Sequence, residues 1–357
     1  MRRNLLIVAD DFGYGNARDH GILKCFQKNC ISGVSILPNC KHSYNAVQIA
    51  KKHNLPTGLH FNITEGQPLS NADSVSSLVG PSGKFLGKSG FWSAANIVQC
   101  HVALELETQI DWFRNKFGYL PLHIDGHQHV HVHPDVVHVF SKTLSNFRIK
   151  RTRLPIEYPS PKLPVRQSFE KEHFLNKVTR MAEQAALVFK EHEVCHTEAF
   201  IGMYLMGKNM SIESLQSTIN QVFQSGVGSC ELMVHPGYRG DPVTDGCLGD
   251  EFADAFSCSP DREHELNREN GRIGAGNPIV GAEPVQSIRN RVEWCMWEHG
   301  FQPISVEYVQ HLVLLTVSWE KEQEGEDVER ERKRERMRAW KRIKEKGLVV
   351  LRKKLHT

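Results

Sequence analysis

The sequence predicts an α/β protein built on a parallel sheet or a β/α barrel. Two observations carry that expectation. Short apolar runs alternate with helical patterns from the N-terminus onward, and strand-then-helix repetition builds parallel sheets. The runs also end on chemistry: Asp10-Asp11, His60 and the stretch Asp125–His133 follow the first, third and fourth. In β/α folds catalytic side chains gather at the strands' C-terminal ends.

Leu5–Ala9 reads as a buried strand, with a helix through Gly21–Phe26 behind it. Val34–Leu37 is a second strand, followed by a helical Ala46–His53, and Thr57–Phe61 is a third. Val102–Phe117 has apolar residues at three- and four-residue steps, the period of an amphipathic helix, and leads into a fourth strand at Leu122–Asp125. Arg151–Leu154, Ala199–Ile201, Glu231–Val234 and Pro303–Val306 are further strand candidates. Gln67–Gly90 is rich in Gly, Ser and Pro and reads as a loop or lid. Asn267–Pro284 holds four glycines without a period and reads as an interruption.

At 357 residues the chain has room for one large domain or two ordinary ones, and 40% hydrophobic content suffices for a sizeable core. The formal net charge of +3 is unevenly spread. From Glu320 to Thr357 there are 14 Lys and Arg against 9 Asp and Glu; the rest holds 30 against 32. The expected division is a catalytic domain over 1–315 and a charged tail over 316–357, a solvated helix or disordered arm. A mixed-sign run of this kind does not favour a nucleic-acid partner. The nine cysteines are scattered with no CxxC pair, which argues against a disulfide framework and a zinc ribbon. Leu5–Ala9 is too short for a signal-peptide core, and no segment approaches the ~20 apolar residues of a membrane span. A cytoplasmic, reducing compartment is the expectation.

Asp10 and Asp11 pose a geometric problem, because neighbours on a strand point to opposite faces. For both to serve one site the strand must end and turn there, and Gly13 and Gly15 are the expected means. In LHIDGHQHVHVH, Asp125, His127, His129, His131 and His133 fall at every second position, one face of an extended segment. One ion accepts only a few ligands, so the others are expected to orient ligands or touch substrate. With His60, two imidazoles and one carboxylate leave open positions on a divalent ion. His235 ends another apolar run; alone, it is as readily a turn histidine. Arg153 and Glu157 in RTRLPIE alone read as a surface ion pair.

As an ordered set, ADDFG, GLHF, DGHQHVH, RLPIE and VHPG resemble the motifs of the YdjC/ChbG-like carbohydrate deacetylases, distant relatives of the NodB-type polysaccharide deacetylases. The resemblance runs from Asn4 to about Tyr308. It implies a distorted β/α (TIM-like) barrel holding a divalent metal. Residue by residue, Asp11, His60 and His127 match the metal ligands, Asp10 the general base and His235 the late histidine that serves as general acid. Asp125, His129, His131, Arg153 and Glu157 fall in the same motifs as substrate-contacting or supporting residues. The implied reaction is hydrolysis of an N-acetyl group on an amino sugar or oligosaccharide. The resemblance points to magnesium (Mg2+), whereas two imidazoles suit zinc (Zn2+). The oligomeric state is left open, a homodimer included. Two other classes compete. One is a metal phosphoesterase, which commonly needs two ions and more carboxylates. The other is a non-enzymatic interaction protein acting through the basic tail.

Overall fold

The computed structural model describes residues 3–158, 169–255, 257–263 and 265–266. Among the described residues six strands form one sheet: β1 (Asn4–Phe12), β2 (Gly33–Ile36), β3 (Thr57–Phe61), β4 (Ile124–Gly126), β5 (Ala199–Ile201) and β6 (Ser229–Val234). All pairings are parallel, in the order β4-β3-β2-β1-β6-β5. The helices are α1 (Asn16–Gln27), α2 (Ser43–His53), α3 (Gly87–Ser93), α4 (Gln99–Phe117), α5 (Pro134–Asn146), α6 (Phe169–Glu191) and α7 (Ile212–Gln224). Every residue of β2 and β3 is buried. A sheet buried on both faces reads as continuous apolar runs, which is why these strands were visible in the sequence.

β4 and β5 lie at opposite ends of the strand order, and residues 150–158 bridge them. On one side Ile124 N donates to Arg151 O at 3.1 Å, and Thr152 Oγ1 donates to Ile124 O at 2.7 Å. On the other, Thr152 N donates to Cys195 O at 3.0 Å and Tyr158 N to Phe200 O at 2.8 Å. The sheet is therefore curled into a distorted barrel whose last stave is irregular. The strand expected at Arg151–Leu154 is reduced to isolated bridges at Arg151 and Glu157. Pro155 lies between them and has no N–H to give to a ladder.

The helices follow their apolar stripes. α4 buries Val102, Leu106, Ile110, Phe113 and Phe117, a three-to-four-residue spacing. It stops at Gly118, whose φ of 85° takes the left-handed conformation of a C-cap. The segment Gln67–Gly90 is packed onto the body rather than hanging free. Val75, Leu78 and Phe85 are buried. Glu105 of α4 accepts from Leu69 N and Ser70 N, each at 2.9 Å. Among the described residues no helix is long and apolar enough to cross a membrane. The expected strand at Pro303–Val306, the interruption at Asn267–Pro284 and the charged tail lie outside the described residues.

Candidate active site

The end of β1 resolves the geometry of its two aspartates. β1 runs in register with β2 at Val8↔Gly33 and Ala9↔Val34, then shifts so that Phe12 meets Ile36. One extra residue in β1 makes a bulge. Asp11 sits in it with φ of 60°, a conformation uncommon outside glycine. The reversal brings both carboxylates to one place. His60 Nε2 is 3.8 Å from Asp10 Oδ2 and 3.5 Å from Asp11 Oδ1. Gly13, with φ of 94°, continues the turn as expected. Gly15 does not need a glycine's freedom, since its φ is −162°. It is required for space: a Cβ there would run into the Asp245 carboxylate.

β3 delivers His60, and β4 delivers Asp125 beside it. His60 Nδ1 donates to Asp125 Oδ1 at 2.7 Å, which leaves Nε2 facing Asp11. Ser35 Oγ donates to Asp125 Oδ2 at 2.8 Å. His127 follows β4 and puts Nδ1 3.1 Å from Asp11 Oδ1 and Nε2 3.1 Å from Glu65 Oε1. Asp11 Oδ2 accepts from Arg18 Nη1 at 2.8 Å, while Oδ1 is buried without a hydrogen-bond partner. So three ligand atoms converge within 4.8 Å of one another. Both imidazoles rest their other nitrogen on a carboxylate. That is the usual outer support of a metal-bound histidine, and the trio fits a divalent ion. A second grouping, Asp10, His60 and Asp125, is also close enough. However, the Arg153 guanidinium already bonds Asp10 and stands 3.0 Å from Asp125 Oδ2, so a cation's place there is taken.

Arg153 comes from the irregular stave. Nη1 and Nη2 donate to the two oxygens of Asp10 at 2.6 and 2.7 Å, and Nε donates to Glu231 Oε1 of β6 at 2.7 Å. His235 follows β6, with Nε2 3.9 Å from Asp10 Oδ2 and Nδ1 4.0 Å from Glu265 Oε2. Its backbone N donates to the same Glu265 carboxylate.

The charges follow from this packing. Burial pushes Asp11 up, but His127, His60 and Arg18 outweigh it and hold it well below the usual carboxylate range. Burial lowers His60, yet Asp125, Asp10 and Asp11 raise it to about 9. Burial dominates at Asp10 and raises it, against Arg153 and His60. At His235 burial and Arg262 act together to lower it well below the ordinary histidine value.

A family model described as YdjC-like protein matches residues 4–269. The chain belongs to the YdjC-like family. A carbohydrate deacetylase of Homo sapiens is 40% identical over 278 residues, covering 74% of this chain and 84% of that protein. A chitooligosaccharide deacetylase of Yersinia enterocolitica is 29% identical over 245 residues, covering 67% and 83%. Both relatives are named as deacetylases, which are hydrolases. A solved structure from Enterococcus faecalis, named for cellobiose-phosphate cleavage, superposes with a TM-score of 0.59 at 19% identity. It covers 87% of this chain and 99% of that one, and at that identity the likeness is one of fold. The family match ends at residue 269, short of the Tyr308 that the motif resemblance implies.

In this YdjC-like chain the histidine run is not extended. β4 stops at Gly126, and residues 127–132 form a kinked 3-10 turn with φ of 52° at Gln128 and 62° at His129. The five period-two side chains therefore do not share a face. Two left-handed residues in succession send them apart. His129 packs edge-on to Phe200, and His131 Nε2 lies 3.0 Å from Arg153 O, with its ring against Phe140 and Phe189. His133 accepts from Asp135 N at the start of α5. Arg153 and Glu157 are both buried and do not make the surface ion pair. Glu157 instead accepts from Gly202 N at 3.1 Å and Met203 N at 2.9 Å, pinning the end of β5. Sequence reading missed Glu65, Glu231 and Arg18. Glu231 had a signal, a lone carboxylate inside an apolar strand. Glu65 and Arg18 had none.

Proposed function

We propose that the chain hydrolyses N-acetyl groups on amino sugars or oligosaccharides, giving acetate and a free amine, with a divalent ion held by Asp11, His60 and His127. The observation that carries this reading is the convergence of Asp11 Oδ1, His60 Nε2 and His127 Nδ1, with Asp125 and Glu65 behind the two imidazoles. Deacetylation of acetylated sugars is also what the names of its relatives describe. Magnesium is the ion proposed, with zinc the alternative.

Bound there, the ion supplies Lewis acidity to an acyl carbonyl and to the attacking water. Asp10 takes the water's proton on Oδ2, the oxygen nearest both His60 and His235. Arg153 grips that carboxylate by both oxygens and fixes its direction. His235 Nε2, which faces Asp10 Oδ2 at 3.9 Å, delivers a proton to the leaving nitrogen. A two-ion phosphoesterase is disfavoured because Arg153 occupies the second carboxylate grouping. We assign the catalytic unit to residues 1–315 and the location to the cytoplasm.

The test is acetate release from N-acetylglucosamine oligomers of increasing length, with metal analysis of the same protein. Acetate release that chelation abolishes and metal restores is expected. No acetate from any N-acetylated sugar by fully metallated protein defeats the reading.

A further inference from the structure

Cys40 and Cys247 are far apart in sequence and meet in the fold. They face each other in an isolated antiparallel bridge. Leu248 N donates to Asn39 O at 2.8 Å and Lys41 N to Gly246 O at 3.0 Å. The bonds therefore flank the cysteines, which form a non-hydrogen-bonded pair. In such pairs the Cα atoms approach to ~4.5 Å, the closest across any ladder. That lies inside the ~4.4–6.8 Å range a disulfide spans without backbone movement. The Sγ atoms are 3.0 Å apart, and both thiols are free.

The pair sits under the site. Asn62 Nδ2 donates to Cys247 Sγ at 3.6 Å. Asn62 Oδ1 accepts from Thr64 N and Glu65 N, so it shapes the turn that carries Glu65 to His127. On the other side Cys247 belongs to the 239–255 loop, and Ser257 O, just beyond it, accepts from Arg18, the partner of Asp11. Both thiols are at most 4% exposed, and burial raises both out of the range of easy ionisation. Neither attacks while packed. Val243, Thr244, Leu248 and Gly249 nearby are exposed, however, so the loop that carries Cys247 lies at the surface.

We propose that Cys40 and Cys247 form a redox-sensitive disulfide that staples the 239–255 loop beneath the Glu65 turn. The oxidant is a low-molecular-weight disulfide such as oxidised glutathione. One protein thiolate attacks it and expels one glutathione thiol. The second cysteine then attacks the mixed disulfide and expels the other. The two cysteine protons end on two glutathione thiols, and the two electrons reduce the glutathione disulfide. The long intervening chain makes the link stabilising.

The full chain is incubated with oxidised glutathione and mapped by peptide mass spectrometry without reduction. The expected result is one cross-link, joining the peptides of Cys40 and Cys247. Dithiothreitol reverses it, and Tm rises by about 5 °C while it is present. Cys40→Ser and Cys247→Ser each abolish cross-link and shift, whereas Cys100→Ser, at an exposed cysteine, changes neither. Glutathione adducts without a cross-link, a link to other cysteines, or a mapped Cys40–Cys247 link with unchanged Tm overturns the proposal. Should a serine variant fail to fold, the map of the unaltered chain decides alone. None of these readouts depends on the proposed activity.

Discussion

Arg153 holds Asp10 by both carboxylate oxygens, at 2.6 and 2.7 Å, across 143 residues of sequence. The same guanidinium bonds Glu231 and stands against Asp125. Arg153→Lys keeps the charge and loses the fork. Turnover is expected to fall by roughly 10²-fold or more, because the base is no longer aimed. Bound metal, read by elemental analysis, should change little, since Arg153 touches no proposed ligand atom of the trio. Wild-type kcat in a folded Arg153→Lys protein would contradict this.

The two aspartates divide under metal titration. Asp10→Asn should bind metal and lose turnover by roughly 10²–10⁴-fold, the worth of a positioned general base. Asp11→Asn should lose metal affinity and recover part of its rate at high metal concentration. Rescue of Asp10→Asn and not of Asp11→Asn would reverse the assignment.

Glu65→Gln tests the support behind His127. The expected effect is a 10–100-fold loss of metal affinity with the ligands themselves intact, the usual size for an outer partner of a ligating histidine. Competition with a chromophoric chelator measures it, and an unchanged Kd would show that Glu65 serves only Gln128 and Tyr14, whose side chains also donate to its carboxylate.

His235→Ala separates proton delivery from binding. On an amide substrate kcat should fall by roughly 10²–10⁴-fold. On an activated acetyl ester, whose leaving group needs no proton, the loss should be much smaller. Equal losses on both substrates remove His235 from the acid role.

Asp19 is fully buried and one carboxylate oxygen has no hydrogen-bond partner. Burial, against the bond from Gly13 N, pushes it up to about 8 from 3.8. The folded state thus holds a proton that the unfolded chain gives up. Its stabilising contribution is complete below pH 3.8 and lost as pH rises through about 8. Glu157, pushed up to about 7 by burial, acts in the same direction. Asp19→Asn keeps an acceptor for Gly13 N and removes the titration. The fall in Tm between pH 5 and pH 9 should be smaller in the variant by about 5 °C. An identical fall in both proteins would show that Asp19 is ionised in the fold.

All six strands of the sheet, α4 and the positions of Asp10, Asp11, His60 and His127 are legible in the sequence alone. Each is a local signal: an apolar run long enough to be buried on both faces, or a metal-competent side chain at the end of one. The histidine run misled for the same reason. Its period of two places the side chains on one face only if the segment is extended, but Gln128 and His129 take left-handed backbone that no periodicity announces. Only the tertiary structure decided that Asp11 reverses the chain in a bulge, that Pro155 leaves the closing stave irregular, and that Glu65, Glu231 and Arg18 complete the site. Those partners come from separate elements, and curling the sheet is what brings them together. A buried charge must find an opposite charge or a hydrogen bond, but which one it finds is set by how the barrel closes.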